Sequence, residues 1–154
     1  MQIIIAAVGR ARHKPEAELI AHYLKQTRWD IRIHEIADAP ANLATAARRA
    51  REAEGILKLL TPAHRLFAMD ATGQSVSSEQ FAHLIRSAQQ QAVKRVVFAI
   101  GGQDGLDPAL LARAQQVLAF GAATWPHQLL RAMLAEQLYR AYTITIGHPY
   151  HTGH

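Results

Sequence analysis

Short, nearly continuous apolar runs alternate along this chain with longer segments of helical character. The runs at Gln2–Val8, residues 65–69 and Arg95–Ile100 are rich in apolar residues, many of them β-branched, and show little polar alternation. Strands buried on both faces need such runs, and they are typical of parallel sheets covered by helices. The pattern therefore predicts an α/β domain with a mainly parallel sheet.

The intervening segments extend this alternation. Ser77 with Gln80 matches a capping box, and Asp107 with Pro108 forms a cap and first-turn pair. Gly55 marks either a break or a close contact inside a helical segment. Helices are predicted over residues 15–28, 40–60, 78–91, from 108 onward and, as an amphipathic helix, over 128–142, with further strands over 31–36 and 117–120.

Composition narrows the class of protein. A length of 154 residues and a hydrophobic fraction of 49% indicate one globular domain over residues 1–154. The 17 Lys and Arg exceed the 12 Asp and Glu, so the formal charge is +5 and the sequence pI is near 10.0. This positive field favours polyanionic partners such as RNA. The sequence has no cysteine, which excludes disulfides, thiolate nucleophiles and Cys-based metal sites.

The sequence also lacks membrane signals. No apolar run approaches the roughly twenty residues of a membrane span, and no basic region precedes the first apolar run as in a signal peptide. We therefore expect a soluble, cytoplasmic protein with no membrane partner.

Three predicted loops follow the carboxyl ends of predicted strands, where α/β sheets bind ligands. They cover residues 70–74, 101–105 and 121–127, and we take them as one candidate site. The glycines of the second loop suit either a tight turn or a cofactor cradle made of backbone amides. Its sequence does not match the G-x-G-x-x-G fingerprint and the chain has no P-loop motif, which weakens dinucleotide and P-loop interpretations.

Two groups of cations are candidates for contacts with phosphate. One lies in the first predicted loop and the other on a predicted helix: Arg10, Arg12 and Lys14, and Arg48, Arg49 and Arg51. The loop group is the better phosphate candidate, because it is next to a strand end. We interpret the helix group as a solvated face, because consecutive helical positions point in different directions.

Two other chemistries have little support. His148 and His151 lack the carboxylate or cysteine neighbours of a metal site, so we predict no metal. Ser75, Ser77 and Ser78 lack the G-x-S-x-G nucleophile elbow, so a hydrolase triad is not supported.

The second half of the chain carries a distinctive set of motifs. They are Ile100-Gly101-Gly102 with Gly105, Trp125-Pro126-His127, Arg131, the Glu-Gln-Leu-Tyr-Arg-Ala segment at 136–141, and His148-Pro149-Tyr150-His151. Together with the opening strand and the Asp70-x-x-Gly73 loop, they resemble the ribosomal RNA large subunit methyltransferase H family over essentially the whole chain. The resemblance implies a SPOUT-class fold: a small α/β domain with a trefoil knot near the C-terminus, acting as a homodimer.

The resemblance also implies an activity. Family members transfer a methyl group from S-adenosylmethionine to N3 of a pseudouridine in 23S ribosomal RNA, and their substrate is the assembled ribosome. A covalent route through a cysteine adduct is excluded here, so direct transfer remains. We expect no DNA partner.

The same resemblance places the cofactor and the substrate contacts. It implies that S-adenosylmethionine lies against the three loops, at Met69, Gly101, Phe120, Gly121, Ala122, Ala123, Thr124 and Trp125. In the tail, His148, Tyr150 and His151 are the candidates to orient the base or accept its proton, and the alternative is a packed tail. Arg131 is a weaker candidate, as a partner of a phosphate or of the cofactor carboxylate.

One departure from the family pattern concerns the C-terminus. Thr152-Gly153-His154 follows the last motif where the family usually has a basic residue, so a phosphate contact there is either weaker or supplied by His154. In a dimer, we expect one protomer's tail and basic loop to contact RNA while its partner presents the cofactor, with substrate bound to half of the dimer. Two other classes stay open: a non-catalytic RNA binder of the ribosome, and a flavodoxin-like binder of nucleotide or phosphate.

Overall fold

The computed structural model describes residues 1–11 and 14–153. The strands are β1 (Gln2–Val8), β2 (Asp30–Ile36), β3 (Arg65–Ser75), β4 (Arg95–Ile100) and β5 (Gln116–Ala119). The helices are α1 (Pro15–Leu24), α2 (Thr45–Leu57), α3 (Ser78–Gln90), α4 (Pro108–Arg113) and α5 (His127–Ile146). Arg12 and His154, both considered above as phosphate contacts, lie outside the described residues.

The strands form one five-stranded sheet in the order β2-β1-β4-β3-β5. Every pair of neighbouring strands is parallel, which confirms the predicted α/β class. The carboxyl ends of β4, β3 and β5 therefore meet at one edge of the sheet. This edge collects the three loops that the sequence marks as a candidate site.

Both faces of the sheet are covered, as the apolar runs predict. In β1 and β4, Ile3, Ile5 and Phe98 pack on the face beneath α3 and α5. The alternate residues Ile4 and Val97 pack on the other face, with α2 and α4. The edge strand β2 instead alternates between partly buried and exposed positions over most of its length, as expected of a strand with one wet face.

The predicted loop at residues 70–74 is wrong in part, because β3 continues to Ser75. The pairing of β3 with β5 shifts register between Met69 and Gln74, so residues 70–73 bulge out of the ladder. Asp70 Oδ1 closes the bulge by accepting from the Thr72 amide at 2.9 Å. Gly73 permits the close approach, since a Cβ there would lie 2.7 Å from the backbone nitrogen of Leu118.

The ends of the helices differ from the predictions at several points. Helix α1 ends at Leu24, short of residue 28, and α2 begins at Thr45, after residue 40. Helix α5 ends at Ile146, beyond residue 142, and is capped by Gly147, whose φ of +70° is left-handed. It is not simply amphipathic, because it buries side chains against α1, α3 and the sheet.

The predicted caps are confirmed. Ser77 and Gln80 form both hydrogen bonds of the capping box, and Asp107 accepts from the Ala109 amide at 2.8 Å. Gly55 is a close contact and not a break: a Cβ there would lie 2.6 Å from Ile36 Cγ2. The trefoil knot stays a prediction. In the described part of the chain, no helix combines the length and the apolar character needed to cross a membrane.

Candidate functional site

A cleft of about 460 Å³ opens at the carboxyl ends of β3, β4 and β5. Such a volume falls within the roughly 300–1,000 Å³ of small-molecule sites. The cleft is lined by Met69, Asp70, Ala71, Ile100, Gly101, Gly102, Gln103, Gly105, Leu106, Leu118, Ala119, Phe120, Ala123, Thr124, Trp125, Pro126, His127 and Leu130. The structure thus brings the three predicted loops together around one space.

The glycine-rich turn at residues 101–105 forms one wall of the cleft. The Gly105 amide donates to the Gly102 carbonyl at 3.1 Å, and Gly105 has a φ of +78°. A Cβ at Gly101 would lie 2.6 Å from the carbonyl carbon of Gly105. The turn is therefore tight, as one of the two interpretations of the sequence predicts, and its glycines line the cleft with backbone alone. The cofactor cradle stays a prediction.

The loop between β5 and α5 forms the opposite wall. Trp125 Nε1 donates to the Phe120 carbonyl at 2.9 Å, which closes the loop on itself. The Trp125 side chain remains 39% exposed and lines the cleft together with Ala123 and Thr124. Two residues predicted to bind cofactor, Gly121 and Ala122, lie on the same loop but outside the lining.

Sequence reasoning missed the apolar floor of the cleft. Ile100, Leu106, Leu118 and Leu130 line it, yet each reads as an ordinary core residue in the sequence. Their position at the ends of predicted strands and beside the predicted loops is the signal that would have found them.

The C-terminal tail folds back on α5. Glu136 Oε1 accepts from the Tyr150 hydroxyl at 3.0 Å and from Arg140 Nε at 2.9 Å. The Arg140 guanidinium also lies 4.7 Å from the centre of the Tyr150 ring, and the Tyr139 and Tyr150 rings are 4.7 Å apart. Tyr150 is thus enclosed by α5 and does not line the cleft.

The two tail histidines differ in their surroundings. His151 Nε2 lies 2.8 Å from Glu79 Oε1 on α3, a contact that the structure adds to the sequence analysis. The backbone amide of Glu79, and then the hydrogen bond with His151, hold the pKa of Glu79 below its usual value. His148 is exposed, and its Nδ1 accepts from the Tyr150 amide at 3.1 Å. Among the described residues, no three His, Asp or Glu side chains cluster as metal ligands.

A second groove of about 380 Å³ shares one lining residue, Phe120, with the cleft. Glu136, which anchors Tyr150, also lines the groove. Leu19 on α1 and Leu129 on α5 line it as well and are 42% and 36% exposed. The groove therefore carries exposed apolar side chains beside a residue that anchors the tail.

Arg131 lies away from the cleft, in the interior between α5 and the first strands. It is 1% exposed, and its Nη2 donates to the carbonyls of Val8 at 2.8 Å and Gly9 at 2.9 Å. Its Nη1 pairs with Glu35 at 3.1 Å. Nε is buried without a hydrogen-bond partner among the described residues. Because both terminal nitrogens bind internal partners and Arg131 does not line the cleft, Arg131 is a structural residue and not the ligand contact that the sequence suggested.

The interpretation of Arg48, Arg49 and Arg51 as one solvated face is wrong for two of them. Arg48 pairs with the Asp104 carboxylate, and Arg49 Nε donates to the Asp104 carbonyl at 2.8 Å. Arg51 is exposed. Helical geometry explains the difference, because neighbouring positions face different surroundings and the first two lie against the glycine-rich turn.

Tyr150→Phe tests the anchor of the tail. Burial, and then the hydrogen bond to Glu136, raise the pKa of the Tyr150 phenol well above its ordinary value of 10.0. Because the folded-state pKa is raised, the stabilisation by Tyr150 is complete below pH 10.0 and is lost as the pH rises further. We expect the variant to lose about 1 kcal/mol of unfolding free energy at neutral pH. A phenol that ionises near pH 10.0, in the absorbance difference between wild type and variant, would contradict this environment.

Comparison with known proteins gives consistent matches. The family model described as a predicted SPOUT methyltransferase matches residues 1–151. The chain is 44% identical to the ribosomal RNA large subunit methyltransferase H of Rhodospirillum rubrum, over 98% of this chain and 99% of that protein. The protein of the same name from Rhodopseudomonas palustris is 42% identical, with the same coverage of both chains.

A solved structure shares the fold. The crystal structure of a probable methyltransferase from Bordetella pertussis Tohama I superposes with a TM-score of 0.59 at 15% identity, covering 92% of this chain and 96% of that one.

Proposed function

Because this chain belongs to the ribosomal RNA large subunit methyltransferase H family of SPOUT methyltransferases, we propose that it methylates N3 of a pseudouridine in large-subunit ribosomal RNA. We propose S-adenosylmethionine as the methyl donor and the assembled ribosome as the substrate. The cleft at the meeting of three strand ends carries the proposal, since it places a donor-sized space where α/β sheets bind ligands.

The lining of the cleft fits a donor of this kind. Its floor is apolar and suits a flat adenine ring, while Gly101, Gly102 and Gly105 line it with backbone alone. The residues that line the cleft and would hold the group are Met69, Gly101, Phe120, Ala123, Thr124 and Trp125. When bound, it supplies a methyl group on a cationic sulfur, which is already a strong electrophile.

The chain's part in the reaction is mainly to align the two reactants, since proximity and orientation lower such a barrier most. The chain offers no cysteine for a covalent adduct, so the base nitrogen would attack the methyl carbon directly. The carbon–sulfur bond would break to leave a neutral thioether, and the N3 proton would pass to solvent. The walls of the cleft exclude water from the donor, and the tail holds the base. In this proposal the tail orients the base and does not act as a general base.

Of the three tail candidates, His148 is the proposed contact with the base, and Tyr150 and His151 are proposed to position it. Since His148 Nδ1 accepts a hydrogen bond from the Tyr150 amide, a neutral His148 carries its proton on Nε2. That exposed Nε2–H suits donation to a carbonyl oxygen of the base. Tyr150 and His151 hold the tail in place through Glu136 and Glu79.

We propose that the protein works as a homodimer. The exposed apolar side chains of Leu19 and Leu129, on either side of the second groove, suit burial against a second copy of the chain. The tail does not line its own cleft, so a partner's tail would complete the site. One tail then contacts RNA while the partner presents the donor, with substrate on half of the dimer. Sedimentation of a fully active monomer would contradict this arrangement.

A ligand screen tests the donor assignment. We expect S-adenosylmethionine alone, and neither flavin nor nucleotide, to raise the melting temperature, because binding at 100-fold excess over Kd adds about 2.7 kcal/mol to stability. It should also change the fluorescence of Trp125, which lines the cleft. Trp125→Phe should abolish that change, and Trp29→Phe, which alters a residue packed on Tyr142, should keep it. Stabilisation by flavin or nucleotide instead would favour the flavodoxin-like alternative.

A further inference from the structure

Helix α2 contacts the glycine-rich turn from outside the cleft, through an ion pair and a hydrogen bond. Arg48 pairs with the side chain of Asp104, and Arg49 binds its carbonyl oxygen at 2.8 Å. The side chains of Arg48 and Asp104 are only 19% and 16% exposed. Two adjacent arginines therefore bind one residue: Arg48 binds the carboxylate of Asp104, and Arg49 binds its backbone carbonyl.

Asp104 lies on the side of the turn that faces away from the cleft. Gly101, Gly102, Gln103 and Gly105 line the cleft, whereas Asp104 does not. Its polar groups are instead directed at α2. The turn thus presents its inner side to the ligand and its outer side to the two arginines.

The turn has little means of fixing its own position. Its three glycines have no side chains to pack, and glycine loses more conformational freedom on ordering than any other residue. Its internal backbone bond, from the Gly105 amide to the Gly102 carbonyl, closes the turn without attaching it to α2. Contacts from outside must therefore add to its order.

Helix α2 is itself a firm support. Gly55 lets it approach Ile36 on β2, and Glu52 Oε1 accepts from the Ala39 amide at 3.1 Å. Arg48 Nε is buried without a hydrogen-bond partner among the described residues. An unpartnered buried donor costs free energy, so the pairing with Asp104 must offset that cost for Arg48 to stay in place.

We propose that Arg48 and Arg49 are positioning residues for the methyl-donor cleft, acting through Asp104. They touch no ligand; they hold the wall formed by residues 101–105 in the shape that binds the donor. The inference rests on the proposed function, because it takes the ligand of the cleft to be S-adenosylmethionine.

Direct binding measures the effect. We expect calorimetric titration with S-adenosylmethionine to show roughly tenfold weaker binding for Arg48→Ala and for Asp104→Asn. The double variant should bind no more weakly than either single one, since both remove the same contact. KM for the donor should rise by a similar factor and kcat should change less. Arg51→Ala, which removes the same charge from an exposed position on α2, is the matched control and should bind like wild type.

Hydrogen exchange tests the positioning role without any ligand. The contacts of Arg48 and Arg49 with Asp104, here called the clamp, limit opening of the turn. Hydrogen exchange of the Gly105 amide should therefore speed up by about tenfold in Arg48→Ala and stay unchanged in Arg51→Ala. Arg49→Lys, which keeps the charge and loses the Nε donor, is the milder variant if Arg48→Ala fails to fold.

The outcomes separate the two proposals. If wild type binds the donor and the clamp variants bind it equally well with unchanged exchange, the positioning role is wrong and the proposed function stands. An equal loss in Arg51→Ala would assign the effect to overall charge and overturn the role as well. If wild type binds no S-adenosylmethionine, the proposed function falls and this inference falls with it, whatever the exchange rates show.

Discussion

Gly101→Ala should abolish measurable binding of S-adenosylmethionine. The added Cβ would lie 2.6 Å from the carbonyl carbon of Gly105 and 2.9 Å from the amide nitrogen of Leu106, both backbone atoms. Relief of this contact requires the turn to open and to displace the cleft wall. Overpacking of this kind costs about 1–3 kcal/mol of unfolding free energy. Calorimetry with the donor and denaturant unfolding measure the two effects.

Gly121→Ala is the matched control, because a Cβ at Gly121 would meet nothing within 4 Å. Its φ of +87° makes alanine strained there, at about 1–2 kcal/mol, without blocking the cleft. Binding should weaken far less than in Gly101→Ala. Equal loss in the two variants would show that a change in either loop weakens binding, and would contradict crowding of the turn at Gly101 as the specific cause.

Arg131→Met should lower the unfolding free energy by roughly 1–3 kcal/mol for each of the two buried carbonyls that it leaves without a donor, whereas Glu35 reaches solvent. The substitution leaves Glu35 and the Val8 and Gly9 carbonyls without the guanidinium. Equilibrium denaturation in urea measures the loss. Activity should follow the folded fraction, since Arg131 lies outside the lining of the cleft.

Arg86→Met is the control for this prediction, because Arg86 is an exposed arginine on α3 and its loss should change stability by less than about 0.5 kcal/mol. A stable, well-folded Arg131→Met that no longer binds S-adenosylmethionine would restore Arg131 as a ligand contact.

The features predictable from sequence are those that rest on local physics. The continuous apolar run of β4 indicated a strand buried on both faces, and the capping box at Ser77 fixed the start of α3. The ends of the predicted strands indicate the place of the cleft, since parallel strands present their carboxyl ends at one edge of the sheet. The resemblance, and not periodicity, supplied the proposed ligand.

Other features depend on contacts between residues distant in sequence. The sequence around Arg131 does not indicate that its guanidinium binds the carbonyls of Val8 and Gly9 at the end of β1. The clamp of Arg48 on Asp104 joins residues 56 positions apart. The bulge in β3 depends on the neighbouring β5, and the burial of Tyr150 depends on Glu136. Each is a tertiary contact that a local pattern does not encode.

Methyl transfer tests the central claim most directly. Wild-type protein is incubated with S-adenosylmethionine carrying a labelled methyl group and with intact ribosomes, free large subunits or naked ribosomal RNA, and the nucleosides are then analysed by mass spectrometry. We predict N3-methylated pseudouridine, formed mainly on intact ribosomes. Absence of transfer to all three substrates, by protein that binds the donor, would contradict the proposed reaction and leave the cleft as a donor site for another acceptor.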